Sequence, residues 1–367
     1  MSAENCGGNV SMPLRNLLNS IQCIRERVRA SQNYTSGLCD ECKNWGCAAF
    51  RNTSGPVELK HNPICLLSSD RAVKAVSQEA TKLSLVFSKP PLPSQQDGEK
   101  LAESILKSVL TLSTVYYWLP KSQGVSLRRQ VRDATVDVLE GVAQLLEVLL
   151  SSPLQSLTQE QLTSTGGVWS ACDQFDQLPQ DNKGAVLEIL STQIAVVKDA
   201  IEEIEQALAE AHDPFSDVLD GDQEGEEPRG NQDTYWSERD RQVIGPCQGL
   251  MKASVACLRK LTAAIKANGD VTTCRNLAQL DDLADISKEV SPGIDDLALC
   301  LYPPLDYSGV QSNVRHTHTH THTHTHTHTH TQSSHVCGES QLTWVQFLEG
   351  AVDHNLQKAK DLLHQDS

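Results

Sequence analysis

Two stretches of this 367-residue chain carry side chains that can ligate metals. The first, near the amino terminus, places Cys39, Cys42, Cys47, His61 and Cys65 in the spacing C-x2-C-x4-C-x13-H-x3-C. Zinc takes four thiolate or imidazole ligands, and two close ligand pairs bridged by a loop would supply them. Against a built site stands the surrounding sequence, which has scarcely any apolar pattern and whose cysteines can have accumulated by chance. The second stretch alternates His and Thr without error over residues 316–331. Any two or three of its eight imidazoles could chelate Ni²⁺ or Zn²⁺. Alternating CAC and ACA codons encode this same dipeptide, however, so the tract has the form of a translated dinucleotide microsatellite.

Carboxylates offer a third kind of chemistry. Asp281, Asp285 and Glu289 fall on one face of a predicted helix, with Asp282, Asp295 and Asp296 close by. Paired carboxylates can move protons or hold a divalent cation, but no His or Ser accompanies these in a recognisable motif. Two readings are left: a solvated face, or a docking surface for a basic partner. No P-loop, dinucleotide fingerprint, nucleophile elbow or metalloprotease motif occurs. The sequence therefore designates no catalytic residue and no cofactor.

The elements that must position these residues are helices. Leu101, Ile105, Val109, Leu112 and Tyr116 recur at steps of three and four, with Ser94 as N-cap and Pro120 beyond the end. A second stripe runs through Leu127, Val131, Val138, Val142, Leu145 and Leu149, capped by Ser126 and broken at Pro153. Asp181 caps a third helix in which Leu187, Leu190, Ile194, Val197, Ile201, Ile204 and Leu208 alternate steps of three and four. That seam could zip onto a partner helix. It could equally face the protein's own core: seven such side chains at roughly 1.5–3 kcal/mol each rival the whole stability of a domain. Residues 213–233 then lose all periodicity and become acidic, Gly- and Pro-rich, as a flexible linker does.

Beyond the linker, Ser237 and Asp240 form a partial capping box. Val243, Cys247, Leu250, Ser254, Cys257 and Leu261 line one face of the following helix, which Asn268 and Gly269 stop. Two shorter helical pieces break near Ser291 and Pro292, and an amphipathic helix closes the chain. No segment alternates like a strand. The expectation is an all-α protein of two helical bundles joined by an acidic linker. Its parts are a first helix within 1–32, an unstructured Cys-rich insert over 33–69 and an amino-terminal bundle over 70–212. The linker spans 213–233, a carboxyl-terminal helical region 234–304, an unstructured His-Thr region 305–342, and a final helix 343–365.

Charge and composition exclude further classes. With 47 acidic against 31 basic residues the formal charge is −16, which disfavours nucleic acid. The only basic cluster, Arg128, Arg129 and Arg132, fits the solvated side of a helix. No membrane span is expected, because Glu140 and Glu147 interrupt the most apolar stretch. The opening residues lack a signal-peptide pattern, so an intracellular protein with reduced cysteines and idle sequons at Asn33 and Asn52 is expected. Cys172, Cys247, Cys257, Cys274, Cys300 and Cys337 lie singly, and most read as small buried apolar residues.

Several segments together are similar to one family. "VSQEATKLSLVFSKPPLPS", "VYYWLPKSQGVSLRRQVRDATVDVLEGVAQLLEV", "VKDAIEEIEQALAE", "NQDTYWSERD", "ASVACLRK" and "AQLDDLADISKEVSPGIDDLALCLYPP" resemble the cyclin-D-binding protein 1 family, also described as Grap and cyclin-D-interacting or maternal Id-like proteins. The first helix, "MPLRNLLNSIQCIRERVRA", and the last also fit. The resemblance implies a non-enzymatic helical regulator of the cytoplasm and nucleus that restrains cell-cycle entry. Its implied partners are D-type cyclins, helix-loop-helix transcription factors and a Grap-type adaptor, with lowered phosphorylation of the retinoblastoma protein as the outcome. Residues 33–69 and the His-Thr tract depart from the family pattern. The tract stands where the family continues into a Lys- and Leu-rich helix, so the second bundle is expected to lack one helix.

Overall fold

A computed structural model of the chain describes residues 7–31, 63–151, 158–210, 236–330, 335–336 and 339–364. Its elements are α-helices with two short 3-10 turns, and no strand occurs among the described residues. The chain divides into two compact units, Met1–Gln180 and Asp181–Ser367.

The first unit comprises α1 (Gly7–Ala30), α2 (Pro63–Val86), α3 (Gln95–Trp118), α4 (Val125–Ser151) and α5 (Gln159–Gln174). Their contacts close a ring in the order α1, α3, α2, α5, α4 and back to α1. Leu14, Ile21, Leu83, Phe87, Ile105, Leu112, Leu139, Leu145 and Leu146 are fully buried inside it. Ser94 caps α3 as its sequence predicts, its Oγ accepting from the Asp97 amide at 3.2 Å. α4 starts at Val125, two residues earlier than a Ser126 cap implies, after Gly124 turns the chain at φ 98°. Glycine reaches that left-handed conformation without a Cβ clash, and Ser126 is drawn into the core of the first turn instead of capping it.

Two expectations are corrected in this unit. The segment 33–69 is not unstructured throughout: α2 begins at Pro63, a residue pre-shaped for the first helical position. The arginine cluster is not a solvated face. Arg128 donates to the Leu119 carbonyl and lies 5.8 Å from the Tyr116 ring centroid. Arg132 is largely covered and pairs with Asp133 at 2.7 Å.

The second unit comprises α6 (Asn182–Glu210), α7 (Glu238–Asn268), α8 (Cys274–Ser287), α9 (Val290–Leu299), α10 (Tyr307–His330) and α11 (Glu339–His364). Here α6, α7, α11, α10 and α9 form the ring, and α8 packs against α6, α9 and α10. Asp181 caps α6, accepting from the Gly184 amide at 2.8 Å. The capping box of α7 is complete, with Ser237 and Asp240 each accepting from the other's amide. The grouping of α6 with the amino-terminal helices is therefore corrected. Its apolar stripe is buried against α7, α8 and α9, and the boundary falls ahead of it, at Gln180. The acidic linker itself lies outside the described residues.

The His-Thr tract is the largest correction. Expected without structure, it continues α10 as helix to His330 and packs between α9 and α11. Val310 and Val314 start a buried stripe that Thr317 and Thr321 prolong at helical spacing. A threonine is a poor helix former, but its methyl fills space and its hydroxyl need not stay unpaired. Thr317 Oγ1 donates to the Gly293 carbonyl at 2.8 Å, and Thr321 shares a 2.8 Å bond with Ser254 Oγ. Tertiary packing overrides propensity, and the bundle does not lack its helix.

Two histidines of this unit make its stability depend on pH. Burial lowers the pKa of His320, helped by His316 beside it, and burial lowers that of His335. His335 has its Nδ1 2.7 Å from Gln279 Oε1 and a buried Nε2 without a partner. A folded pKa below the unfolded one means that the unfolded chain binds more protons, so the contribution is full above the unfolded value of about 6.5 and is lost as pH falls from there through the lowered folded pKa. The second unit should melt at lower temperature at pH 5 than at pH 7.5. Changing His335 to Gln should reduce that difference in calorimetry.

Candidate interaction surface

The helical seam of α6 is placed in the core. Leu190, Val197, Ile201 and Ile204 are buried, and Leu187, Ile194 and Leu208 pack partly buried against them. Ala185 and Val186, outside the sequence pattern, are buried as well. A strict heptad drifts around a straight helix by about 20° per repeat, which brings these flanking residues inward. The seam's apolar surface is thus spent within its own unit.

The acidic cluster is divided. Asp281 is buried and accepts from Asn182 Nδ2 at 2.9 Å, tying α8 to the first turn of α6. It belongs neither to a solvated face nor to a docking surface. Asp282 is exposed, with its pKa raised first by partial burial and then by Asp281 and Asp285. Asp285 pairs with Lys288 at 3.1 Å. Cys39, Cys42, Cys47 and His61 lie outside the described residues, and Cys65 falls in the first turn of α2. Among the described residues no three His, Cys, Asp or Glu side chains converge as metal ligands do. Cys172, Cys247 and Cys257 are buried as expected, and burial pushes each thiol up to about 12. Cys274 is exposed and Cys300 half-buried.

The first unit carries a surface that the periodicity did not single out. α2 and α5 are stitched by polar bonds. Gln161 Nε2 donates to the Ser84 carbonyl at 2.7 Å, Thr165 Oγ1 to Ser84 Oγ at 2.8 Å, and Trp169 Nε1 to Thr81 Oγ1 at 2.9 Å. Gln161, Thr165, Val168 and Cys172 face inward. Leu162 and Trp169, seven residues apart, share the edge of α5 next to that stripe, and Leu85 follows Ser84 on α2. These three apolar side chains are 47%, 45% and 66% exposed. Between Leu162 and Trp169 the glycines Gly166 and Gly167 leave the helix bare, with open space where a Cβ would stand. An indole held by its N–H, on the same helix edge as Leu162 and beside exposed backbone, presents a rigid aromatic anchor with low entropy left to lose. The readable signal was the pair Leu162 and Trp169 lying off the buried stripe of their own helix.

Other exposed apolar residues are spread out. Trp118 and Val125 border the α3–α4 turn, and Leu299 and Phe347 stand on α9 and α11 of the second unit. No helix among the described residues is long and apolar enough to cross a membrane.

Comparison with known proteins agrees with this architecture. The family model described as Grap2 and cyclin-D-interacting, N-terminal, matches residues 69–210, and its C-terminal counterpart matches residues 219–323. The first match ends with α6, although that helix folds with the second unit. A cyclin-D1-binding protein 1 homolog of Danio rerio is 55% identical, with the whole of both chains covered. A Xenopus laevis homolog is 55% identical over 95% of this chain and 98% of its own. The Homo sapiens cyclin-D1-binding protein 1 is 40% identical over 80% of this chain and 82% of its own. With both family models matched and an amphibian and a fish relative alike over nearly their full lengths, the chain belongs to the Grap2 and cyclin-D-interacting protein family.

Proposed function

We propose that the chain is a non-enzymatic regulator that binds D-type cyclins and engages them through the α2–α5 face of its first unit. The observation that carries the binding is the likeness to relatives named cyclin-D1-binding protein 1 across whole chains. The surface is supported by the exposed Leu85 on α2 and by the exposed Leu162 and Trp169 either side of the bare glycines on α5. Aromatic anchors of this type dominate protein interfaces. The resemblance extends the reading to helix-loop-helix transcription factors and a Grap-type adaptor as further partners, to lowered phosphorylation of the retinoblastoma protein, and to work in both cytoplasm and nucleus. The net charge of −16 fits a partner of helix-loop-helix proteins that does not itself touch DNA.

The test is a binding measurement between the purified chain and a D-type cyclin. Trp169→Ala should weaken it roughly 30-fold, the loss of about 2 kcal/mol expected of an interface hot spot. Leu85→Ser, at a position two-thirds exposed, should weaken it with little change in melting temperature. Unchanged affinity in both variants would place the cyclin elsewhere. Absence of binding by the unmodified chain would remove the functional reading altogether.

A further inference from the structure

Within the His-Thr helix two imidazoles meet differently from the described pair beside them. His316 and His320 are one turn apart on α10, and their Nε2 atoms lie 3.0 Å from each other with ring planes at 68°. Metal–imidazole bonds of about 2.0–2.1 Å put cis ligand nitrogens roughly 3 Å apart. The spacing that now accommodates a shared N–H is therefore the spacing of two adjacent corners of a coordination polyhedron. The neighbouring pair does not have this form. His318 and His322 stack nearly parallel at 5.8 Å between centroids, and His318 Nε2 is already 2.7 Å from Asp353 Oδ1.

The rings are also held. His316 Nδ1 stands over Gly293 of α9, where a Cβ would come within 3.3 Å of it. His320 is half-buried, and Thr317 and Thr321 anchor the adjoining face of the same turns in the core. Glu289, exposed ahead of α9, acts electrostatically on His320.

We propose that His316 and His320 form a two-imidazole site for a borderline divalent transition metal such as Zn²⁺ or Ni²⁺, which clamps α10 as helix within the second unit. Nitrogen ligands suit these ions and not Mg²⁺ or Ca²⁺. Both Nε2 lone pairs go to the ion, and water completes its shell. The proton on one Nε2 passes through solvent to Nδ1 of the same ring, so a neutral pair remains neutral and no net proton is released. An ion that binds this folded turn more tightly than the unfolded chain stabilises it by mass action. The inference is independent of cyclin binding.

Because every histidine of the tract has another four residues away, the test needs a reduced background. In the full chain, His322, His324, His326, His328 and His330 are changed to Gln, leaving His316, His318 and His320. Zn²⁺ titration by calorimetry and thermal melting are then compared with further variants. Adding His320→Gln should lower the zinc stoichiometry by one and abolish a zinc-induced rise in melting temperature on the order of 5–10 °C. Adding His318→Gln should leave both unchanged. Equal stoichiometry with and without His320, or an equal loss on removing His318, overturns the site. Should the background not fold, imidazole NMR of the unmodified chain decides. At substoichiometric Zn²⁺ the resonances of His316 and His320 should shift before those of the other histidines, and any other order overturns the site.

Discussion

Leu190→Asp should unfold the second unit and leave the first one folded. Leu190 is fully buried among Val186, Val197, Leu250, Leu283 and other apolar side chains of that core. Truncating such a leucine to alanine costs about 2–5 kcal/mol, and a carboxylate in a dry site costs more, because nothing there replaces its hydration. Against a domain stability of about 5–15 kcal/mol the charged variant removes most or all of it. Two calorimetric transitions in the parent chain should become one. Hydrogen exchange should localise the loss to α6–α11, with α1–α5 still protected. The division between units at Gln180 and Asp181 sets where the damage stops. A reading that grouped α6 with the amino-terminal helices would expect the opposite half to unfold. Ile194→Asp lies on the same seam. Ile194 is only partly buried, so it can turn a charge towards solvent, and its variant should be milder than that of Leu190. Loss of exchange protection in α1–α5 would count against the boundary.

What could be read in advance follows from the physics of helices. Periodicity and capping act within a few residues. Ser94, Asp181, Ser237 and Asp240 could therefore be placed before any fold was known, and each makes the bond its position implies. The all-α class follows from the same local signals. Which helix packs on which is decided between stripes distant in sequence, so α6 could not be assigned to its unit from a linker that merely follows it. Asp281 illustrates the same point at one residue. On its own helix it looks like part of a charged face, and only Asn182, 99 positions away, reveals it as a buried acceptor. The α2–α5 surface was missed because Leu85, Leu162 and Trp169 are few and lie on two helices, whereas a hydrophobic pattern ranks residues by how well they continue a stripe.

Removing residues 316–331 should lower the melting temperature of the second unit substantially, on the order of 10 °C for a loss of several kcal/mol. An unstructured tract would be dispensable, and neither His nor Thr favours helix. The tract's buried stripe is carried by threonines. Thr317 and Thr321 continue the line of Val310 and Val314 into the core, so deletion uncovers the faces of α7, α9 and α11 that α10 packs against. It also removes the hydroxyl bonds to Gly293 and Ser254, each worth about 1 kcal/mol. A point substitution separates the methyl from the hydroxyl. Thr321→Val keeps the branched shape that fills the site. The Ser254 hydroxyl then still donates to the Leu250 carbonyl at 3.0 Å, so no buried donor is stranded. That variant should therefore match the parent or exceed it by about 1 kcal/mol, since a buried apolar group replaces a polar one. Thr321→Asp should approach the deletion in effect, because it leaves a charge facing Ser254 with no cation supplied. A deletion that melts with the parent would return the tract to the status of a passive insertion. A Thr321→Val variant that melts far below the parent would mean that the hydroxyl pair, rather than the filled space, holds α10 in the bundle.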